Sequence, residues 1–174
     1  GKGVLTLHSN YASEGTTTIE QGGAISGTAE DPLNLAASFD VRKGAYLQAF
    51  GSINNLTNAG TVYLNGIDAK KTTESKLTVN GDFVGNGGTL DLASDTNSHQ
   101  NTLLVKGNAT GNGFIRVNNL DGKGAQTQEG ITLVSIEGNS NVSFLLDGAP
   151  KAGAYDYLLM NSADNKRWEP TRTL

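Results

Sequence analysis

The chain contains 174 residues, which is enough for one sizeable domain or one run of repeats, and it contains no cysteine. Disulfides and thiolate metal sites are therefore excluded, and a formal net charge of −4 provides no basic surface for binding nucleic acid. Glycine is abundant, with 23 residues against 3 prolines, and charged residues make up only 17%, which suits turn-rich β-structure.

The sequence has no recognisable targeting or membrane-spanning segment. No apolar run approaches the roughly 20 residues of a membrane-spanning helix, and no signal peptide precedes the strand-like residues 4–7. We therefore expect a fragment of a longer protein. A cysteine-free, β-rich domain fits bacterial surface proteins better than small secreted eukaryotic domains, which often need disulfides.

The first half of the chain predicts short strands separated by small turns. Apolar and polar residues alternate at 4–7, β-branched residues dominate 16–20, and strand-like residues return at 46–50. The stretch near 31–40, which begins with an Asp-Pro turn signal, predicts an irregular excursion, although Phe39–Val41 is strand-like. No stretch of useful length has the period of an amphipathic helix.

A strand–turn–strand pattern then occurs twice. Eight pairs of residues align, the first six at an offset of 26 residues and the last two after omission of Gly88: Leu77 with Leu103, Val79 with Val105, Gly81 with Gly107, Gly85 with Gly111, Asn86 with Asn112, Gly87 with Gly113, Leu90 with Ile115, and Leu92 with Val117. The six glycines of this set are predicted to form coil turns. A repeat of this length, built from strands and Gly/Asn turns, is the signature of a solenoid or a propeller.

The repeat favours an all-β, right-handed parallel β-helix over a sandwich or a jelly roll. In a stack of like coils each turn follows the backbone path of the turn beneath it, which explains why glycine, with its access to positive φ, recurs in register. Leucine, valine and isoleucine would fill the interior. The polar segments Lys70–Lys76, Ala93–Asn101 and Asp121–Glu129 predict protruding loops.

The pattern changes after residue 146. Two of the five tyrosines and the single tryptophan lie in the last twenty residues. An uncovered terminal coil would expose its apolar interior and a row of unpaired backbone groups, so a β-helix needs a closing element. We predict coils over residues 1–146 and a β-hairpin cap over 147–174. The residues expected to form this cap are Gly153, Tyr155, Tyr157, Leu158 and Trp168.

These residues carry a resemblance to a known family. The segments Gly130–Val134, Phe144–Leu146 and Ala152–Leu159, with Trp168 and the preceding coil, resemble the C-terminal part of autotransporter passenger domains of Gram-negative bacteria. The resemblance is to the pertactin-like and self-associating adhesin families and spans about residues 77–168. It departs from the family at Pro170, where an aliphatic residue is common, and this proline predicts an early end of the last strand.

The resemblance implies a right-handed β-helix whose C-terminal autochaperone, or junction, region lies at about residues 101–174. In such proteins this region reaches the cell surface first, folds, and templates the coils N-terminal to it while the passenger crosses the outer membrane through a β-barrel. We therefore expect a non-enzymatic folding and secretion module of a virulence factor or adhesin, without a cofactor. It would lie at the bacterial cell surface or be secreted after cleavage.

The resemblance also implies the partners. These are the upstream passenger coils and the downstream β-barrel of the same chain, and the barrel would be the module's one link with a membrane. In a second hypothesis the chain is a binding module whose three protruding loops contact a host protein or a neighbouring passenger.

In a third hypothesis the chain is a polysaccharide-acting β-helix enzyme with Asp82 and Asp91 as a carboxylate pair, although their counterparts in the repeat are Asn108 and Arg116.

Other catalytic and ligand motifs are weak. His8 and His99 lie near serines but without an ordered nucleophile motif. The glycine-rich turns lack the Gly-Lys-Ser/Thr of phosphate loops and the tandem nonapeptides of calcium-binding β-rolls.

Overall fold

The computed structural model describes residues 4–6, 14–26, 30, 32–65, 76–94, 101–119, 132–147 and 156–173. Within these ranges the chain forms strands and turns without helices, so the prediction of an all-β protein is confirmed. None of the described ranges contains a helix long and apolar enough to cross a membrane.

The strands of these ranges are short in the first half of the chain and longer in the second. In chain order they are β1 (Val4–Thr6), β2 (Thr16–Ile19), β3 (Ala24–Ser26), β4 (Leu33–Asn34), β5 (Ser38–Val41), β6 (Tyr46–Gln48), β7 (Gly51–Ile53), β8 (Leu56–Asn58), β9 (Thr61–Tyr63), β10 (Lys76–Val79), β11 (Phe83–Ser94), β12 (Thr102–Val105), β13 (Ala109–Asn119), β14 (Val134–Ile136), β15 (Ser140–Leu146), β16 (Asp156–Asn161) and β17 (Arg167–Thr173).

Most strands pair in parallel with the equivalent strand of the next coil. In one sheet β4, β7, β10, β12 and β14 lie side by side, and β17 and β16 follow in antiparallel pairing. In the other sheet the first half of β11 pairs with β8 and its second half with β9, which joins two ladders of strands. Each of the later coils therefore has three strand-bearing sides, an arrangement that is β-helix-like.

The register of the strands confirms the repeat found in the sequence. Leu77 lies beside Leu103 in the β10–β12 pair, and Leu90 lies beside Ile115 in the β11–β13 pair. Between these points the β11–β13 register shifts after Asn86, where two residues of β11 oppose one of β13. The gap that the sequence alignment required at Gly88 is therefore a β-bulge, in which one strand carries an extra residue.

The core is a single column of apolar side chains that runs through the stack. Along β10 and β12 buried and outward residues alternate, as expected for strands with one face on a core. The column extends from Ile19 to Trp168. Each large aliphatic residue that it buries contributes about 1.5–3 kcal/mol relative to an exposed position.

Two expectations about irregular backbone need correction. The stretch near 31–40 contains β4 and most of β5, because its apolar residues Leu33, Leu35 and Ala37 alternate toward the core beyond the Asp-Pro turn signal. Pro170 does not end the last strand, since β17 continues to Thr173. After Trp168, β16 is the only described strand that pairs with β17. Pro170 therefore lies on an edge of the described sheet, where its missing N–H does not break a ladder with another strand.

The inward placement of Leu103 leads to a first prediction. Leu103→Ala removes a fully buried side chain and should lower the free energy of unfolding by about 2–5 kcal/mol. Leu145→Ala removes the same atoms from a side chain that is 63% exposed, and its effect should stay within about 0.5 kcal/mol. Urea unfolding followed by circular dichroism measures both changes, and equal losses would contradict the inward placement of Leu103.

Candidate functional site

The described residues offer no obvious chemical centre. They contain no group of three or more His, Cys, Asp or Glu side chains that could hold a metal ion. His8 and His99 lie outside the described residues, as do residues 66–75, 95–100 and 120–131, which include most of the three predicted loops. The candidate site must therefore be sought where coils contact one another and where the stack ends.

A ladder of Asn and Asp side chains runs along the corner that follows β7, β10, β12 and β14. The backbone N–H of Asp82 donates to Oδ1 of Asn55 at 2.8 Å, and the N–H of Asn108 donates to Oδ1 of Asp82 at 2.8 Å. The N–H of Asn139 donates to Oδ1 of Asn108 at 2.9 Å. This corner ladder, formed by Asn55, Asp82, Asn108 and Asn139, satisfies at each step a backbone donor that strand pairing leaves free.

Glycines precede three members of the corner ladder because the coils approach too closely for a side chain. The N–H of Gly107 donates to the carbonyl of Gly81 at 2.9 Å, and the N–H of Gly138 donates to that of Gly107 at 3.0 Å. A Cβ built on Gly107 would overlap the Gly81 carbonyl oxygen and the Asp82 carboxylate. Steric contact between coils, and not positive φ, therefore requires glycine at this corner.

The other four predicted turn glycines lie inside long, paired strands. Gly85 and Gly87 belong to β11, and Gly111 and Gly113 to β13. Gly87 and Gly111 have positive φ values of 80° and 89°, which favour glycine. A Cβ on Gly111 would overlap the carbonyl oxygen of Gly85 in the neighbouring coil. The chain thus changes direction here without losing its pairing to the next coil.

Sequence reasoning missed part of the corner ladder. The repeat in the sequence predicts turns at Gly81 and Gly107, but it does not connect Asn55, Gly138 and Asn139 with them. A usable signal was present, since a Gly-Asp or Gly-Asn pair follows β10, β12 and β14 in turn. The signal is hard to see in the sequence because the spacing from Gly107 to Gly138 is longer than the spacing from Gly81 to Gly107.

The end of the stack is organised by Trp168. Its carbonyl accepts the N–H of Leu133 at 2.8 Å, and the residue pairs with Val134 across the antiparallel β14–β17 contact. Its side chain is only 2% exposed and meets the Phe144 ring edge-to-face at a centroid distance of 5.1 Å. Phe144 in turn lies 6.0 Å from Phe83. One residue of the hairpin therefore contacts both sheets at the end of the stack.

The other predicted cap residues are placed only in part. Tyr157 and Leu158 lie on β16, which pairs along its whole length with β17. Gly153 and Tyr155 lie outside the described residues. Tyr157 and Leu158 thus lie on the same antiparallel hairpin as Trp168, but the register places them opposite Arg172 and Thr171, whereas Trp168 lies opposite Asn161.

The turn of this hairpin is tightly hydrogen-bonded. The Ser162 hydroxyl donates to Asp164 at 2.6 Å, and the N–H of Lys166 donates to the same carboxylate oxygen at 3.1 Å. These bonds, the first more than the second, lower the pKa of Asp164. Asn165 has a φ of 59°, which asparagine tolerates. Its carbonyl accepts the hydroxyl of Ser140, so the turn is attached directly to β15.

A cleft of about 170 Å³ lies between β15 and the hairpin, lined by Asn141, Asn161 and Asn165 and by the edges of Phe144 and Trp168. Small-molecule sites usually measure about 300–1,000 Å³. The cleft therefore gives no support to a substrate pocket at this end.

The two aspartates considered for catalysis are engaged in contacts between coils. Asp82 is a member of the corner ladder, whereas Asp91 lies in the second half of β11, where Arg116 Nη1 donates to its Oδ2 at 3.0 Å. Burial raises the pKa of Asp91, although its hydrogen bond to Arg116 opposes the change. Each carboxylate thus contributes to coil stacking, which provides no positive support for paired acid–base catalysis.

The corner geometry leads to a second prediction. Gly107→Ala should destabilise the protein by about 1–3 kcal/mol, because the added methyl group forces two hydrogen-bonded coils apart. Gly15→Ala is the matched control, since a Cβ at Gly15 would meet no atom of the described residues within 4 Å, apart from its chain neighbours. Thermal unfolding would compare the two variants, and a Gly107→Ala variant as stable as Gly15→Ala would disprove the close contact.

Comparison with known proteins connects these features with a family. Residues 51–159 match the family model described as Autochaperone Domain Type 1. The chain is 36% identical over 165 residues to the uncharacterized protein YuaQ of Escherichia coli K12, covering 91% of this chain and 12% of that protein. It is 42% identical over 98 residues to the autotransporter adhesin AIDA-I of Escherichia coli, covering 54% of this chain and 7% of the relative.

A third relative is the adhesin BmaC autotransporter of Brucella suis, which is 35% identical over 178 residues, covering 90% of this chain and 5% of the relative. The chain thus spans only 5–12% of the length of these three relatives. The family model, in contrast, covers more than half of the chain itself. This chain belongs to the type 1 autochaperone domains and is the autochaperone region of an autotransporter passenger.

Proposed function

We propose that the chain is the capped C-terminal end of a right-handed β-helix, and that its last coils nucleate the folding of the coils N-terminal to them. The observation that carries this proposal is the position of Trp168, which pairs with β14 and packs on Phe144 of β15. In a solenoid each repeat contacts only its neighbours, so a closed and stable end provides a starting point for ordered growth.

In the proposed organisation residues 1–146 form the coils and 147–174 form the cap, with the autochaperone at about 101–174. The family match begins earlier, at residue 51, which supports including the coils from β7 onward in the module. Gly153, Tyr155, Tyr157, Leu158 and Trp168 would build the cap. The cap would cover the edge of β14 that has no further coil to pair with.

The hydrogen bonds between coils support growth on a preformed edge. At the corner the N–H of Asn139 donates to Asn108 Oδ1 and that of Gly138 to the Gly107 carbonyl, whereas the N–H of Ala109 donates in the opposite direction, to the Asn139 carbonyl. A folded C-terminal coil would therefore present both free donors and free acceptors until the coil before it arrives. Each bond completed in this way contributes about 0.5–1.5 kcal/mol, in addition to strand pairing and apolar burial.

We further propose that this folding takes place at the bacterial cell surface. Two relatives are named as autotransporter adhesins, which supports a passenger that crosses the outer membrane through a β-barrel of the same chain. Folding of the C-terminal coils outside the cell would hinder backward movement through the pore. The passenger would serve as an adhesin or another virulence factor, displayed at the surface or released after cleavage.

A host protein remains a proposed partner of the loops at 70–76, 93–101 and 121–129. Most of these residues lie outside the described ranges, so the binding-module hypothesis stays a prediction. The polysaccharide-enzyme hypothesis finds no positive support in the contacts of Asp82 and Asp91.

The role of Trp168 leads to a third prediction. Trp168→Ala should lower the free energy of unfolding by about 3–5 kcal/mol. If the cap is part of the nucleus, it should slow refolding in proportion to that loss. In the full-length protein the same change should reduce surface display. Stopped-flow refolding by backbone circular dichroism and protease accessibility on intact cells measure these effects.

Tyr46→Ala provides the matched aromatic control. Tyr46 also makes an edge-to-face contact, with Tyr63 at 5.7 Å, but it is partly exposed and lies on β6, far from the hairpin in sequence. This variant should refold at nearly the wild-type rate. If Trp168→Ala also refolds at the wild-type rate and is displayed normally, the cap is not part of the folding nucleus.

A further inference from the structure

A polar bridge on the outside of the stack links three consecutive coils. Arg116 of β13 donates from Nη1 to Asp91 of β11 at 3.0 Å and from Nη2 to Asp147, directly after β15, at 2.9 Å. Arg116 pairs in register with Asp91, and the pairing of Ile115 with Leu146 places Asp147 next to Arg116 on the other side. We call Asp91, Arg116 and Asp147 the Arg116 bridge.

The three members of the bridge differ in burial. The side chain of Asp91 is only 10% exposed, whereas those of Arg116 and Asp147 are 41% and 38% exposed. The second oxygen of Asp91 accepts the side-chain amide of Asn118 at 2.7 Å. Its carboxylate is therefore largely enclosed with a hydrogen bond to each oxygen, and Arg116 supplies the opposite charge.

Other ion pairs in the described chain are local. Arg42 pairs with Asp40 at 3.1 Å, and Arg167 pairs with Glu169, so that each contact stays within one coil or strand. Exposed pairs of this kind stabilise by about 0–1 kcal/mol. The Arg116 bridge differs because its middle member is held from both neighbouring coils at once.

We propose that Arg116 is a positioning residue that couples the coils of β11, β13 and β15 into one cooperative folding unit and sets their register. The coil of β11 encloses a carboxylate that is costly to bury until Arg116 is in place, and Asp147 holds Arg116 in place from the coil of β15. A one-residue slip of β13 would turn Arg116 to the inner face and leave Asp91 without its cation. The inference rests on the proposed folding function, because it describes how order passes from one coil to the next.

The test compares Arg116→Gln with wild type in the full-length protein by hydrogen exchange resolved to individual strands. At pH 7 the variant should increase opening of the β11–β15 coils by about 10-fold or more, since it leaves a buried carboxylate unpaired. The variant should also uncouple the opening of the three coils, so that amides of β15 exchange faster than amides of β11. Arg42→Gln, the matched control, should leave exchange of these strands unchanged.

A pH series distinguishes charge coupling from simple packing of the Arg116 side chain. Without Arg116 the pKa of Asp91 should lie further above its unfolded value, which is about 3.9. The destabilisation should therefore vanish below that pH, grow as the pH rises above it, and level off once the pH exceeds the folded pKa of Asp91. Among the described residues, the polar groups beside Asp91 include Tyr63 of β9, Asn118 and Asp147, all of which are the same in wild type and variant.

The double variant Arg116→Gln/Asp91→Asn removes the buried charge and should recover most of the lost protection. A loss of protection that is the same at every pH and is not recovered in the double variant would overturn the inference. So would an Arg116→Gln protein in which the three coils still exchange together at the wild-type rate. Either result would leave the proposed folding nucleus intact, because that proposal is tested separately through Trp168.

Discussion

Stacking in register is the constraint on which the rest of this structure depends. Every coil must repeat the backbone path of the coil beside it, because the backbone groups of one coil are the hydrogen-bond partners of the next. The corner ladder and its glycines follow directly from this demand. Gly107 lies so close to Gly81 that no side chain fits, and the neighbouring Asp82 and Asn108 supply the acceptors that the corner backbone needs.

The same constraint requires a different kind of pairing at the end of the stack. A terminal coil has no following coil, and the β14 edge is instead covered by an antiparallel strand whose Trp168 also reaches Phe144. Because β17 runs antiparallel to β14, it pairs with the β14 edge without continuing the parallel stack of coils. The edge-to-face contact between Trp168 and Phe144 adds apolar packing to the pairing of the short strands at this end, as the proposed folding nucleus requires.

Features that depend on local pattern could be predicted from the sequence. The alignment of Leu77 with Leu103, including the irregularity at Gly88, became the observed strand register, because like coils bury like residues. Features that depend on contact between coils could not. The glycines were expected to serve positive φ, yet Gly107 is required by the proximity of Gly81, which only the folded stack creates. In the sequence Arg116 is an exception to the repeat, because it aligns with Asp91. In the structure its side chain donates to Asp91 and Asp147 of the two neighbouring coils.

Pulse-labelled hydrogen exchange during refolding of the full-length protein tests the central claim most directly. The account predicts that amides of β12 to β17 become protected first, and that protection then spreads toward β10, β7 and the coils before them. Simultaneous protection of all coils, or protection that begins at the N-terminal coils, would contradict the proposal that the capped C-terminal end nucleates folding.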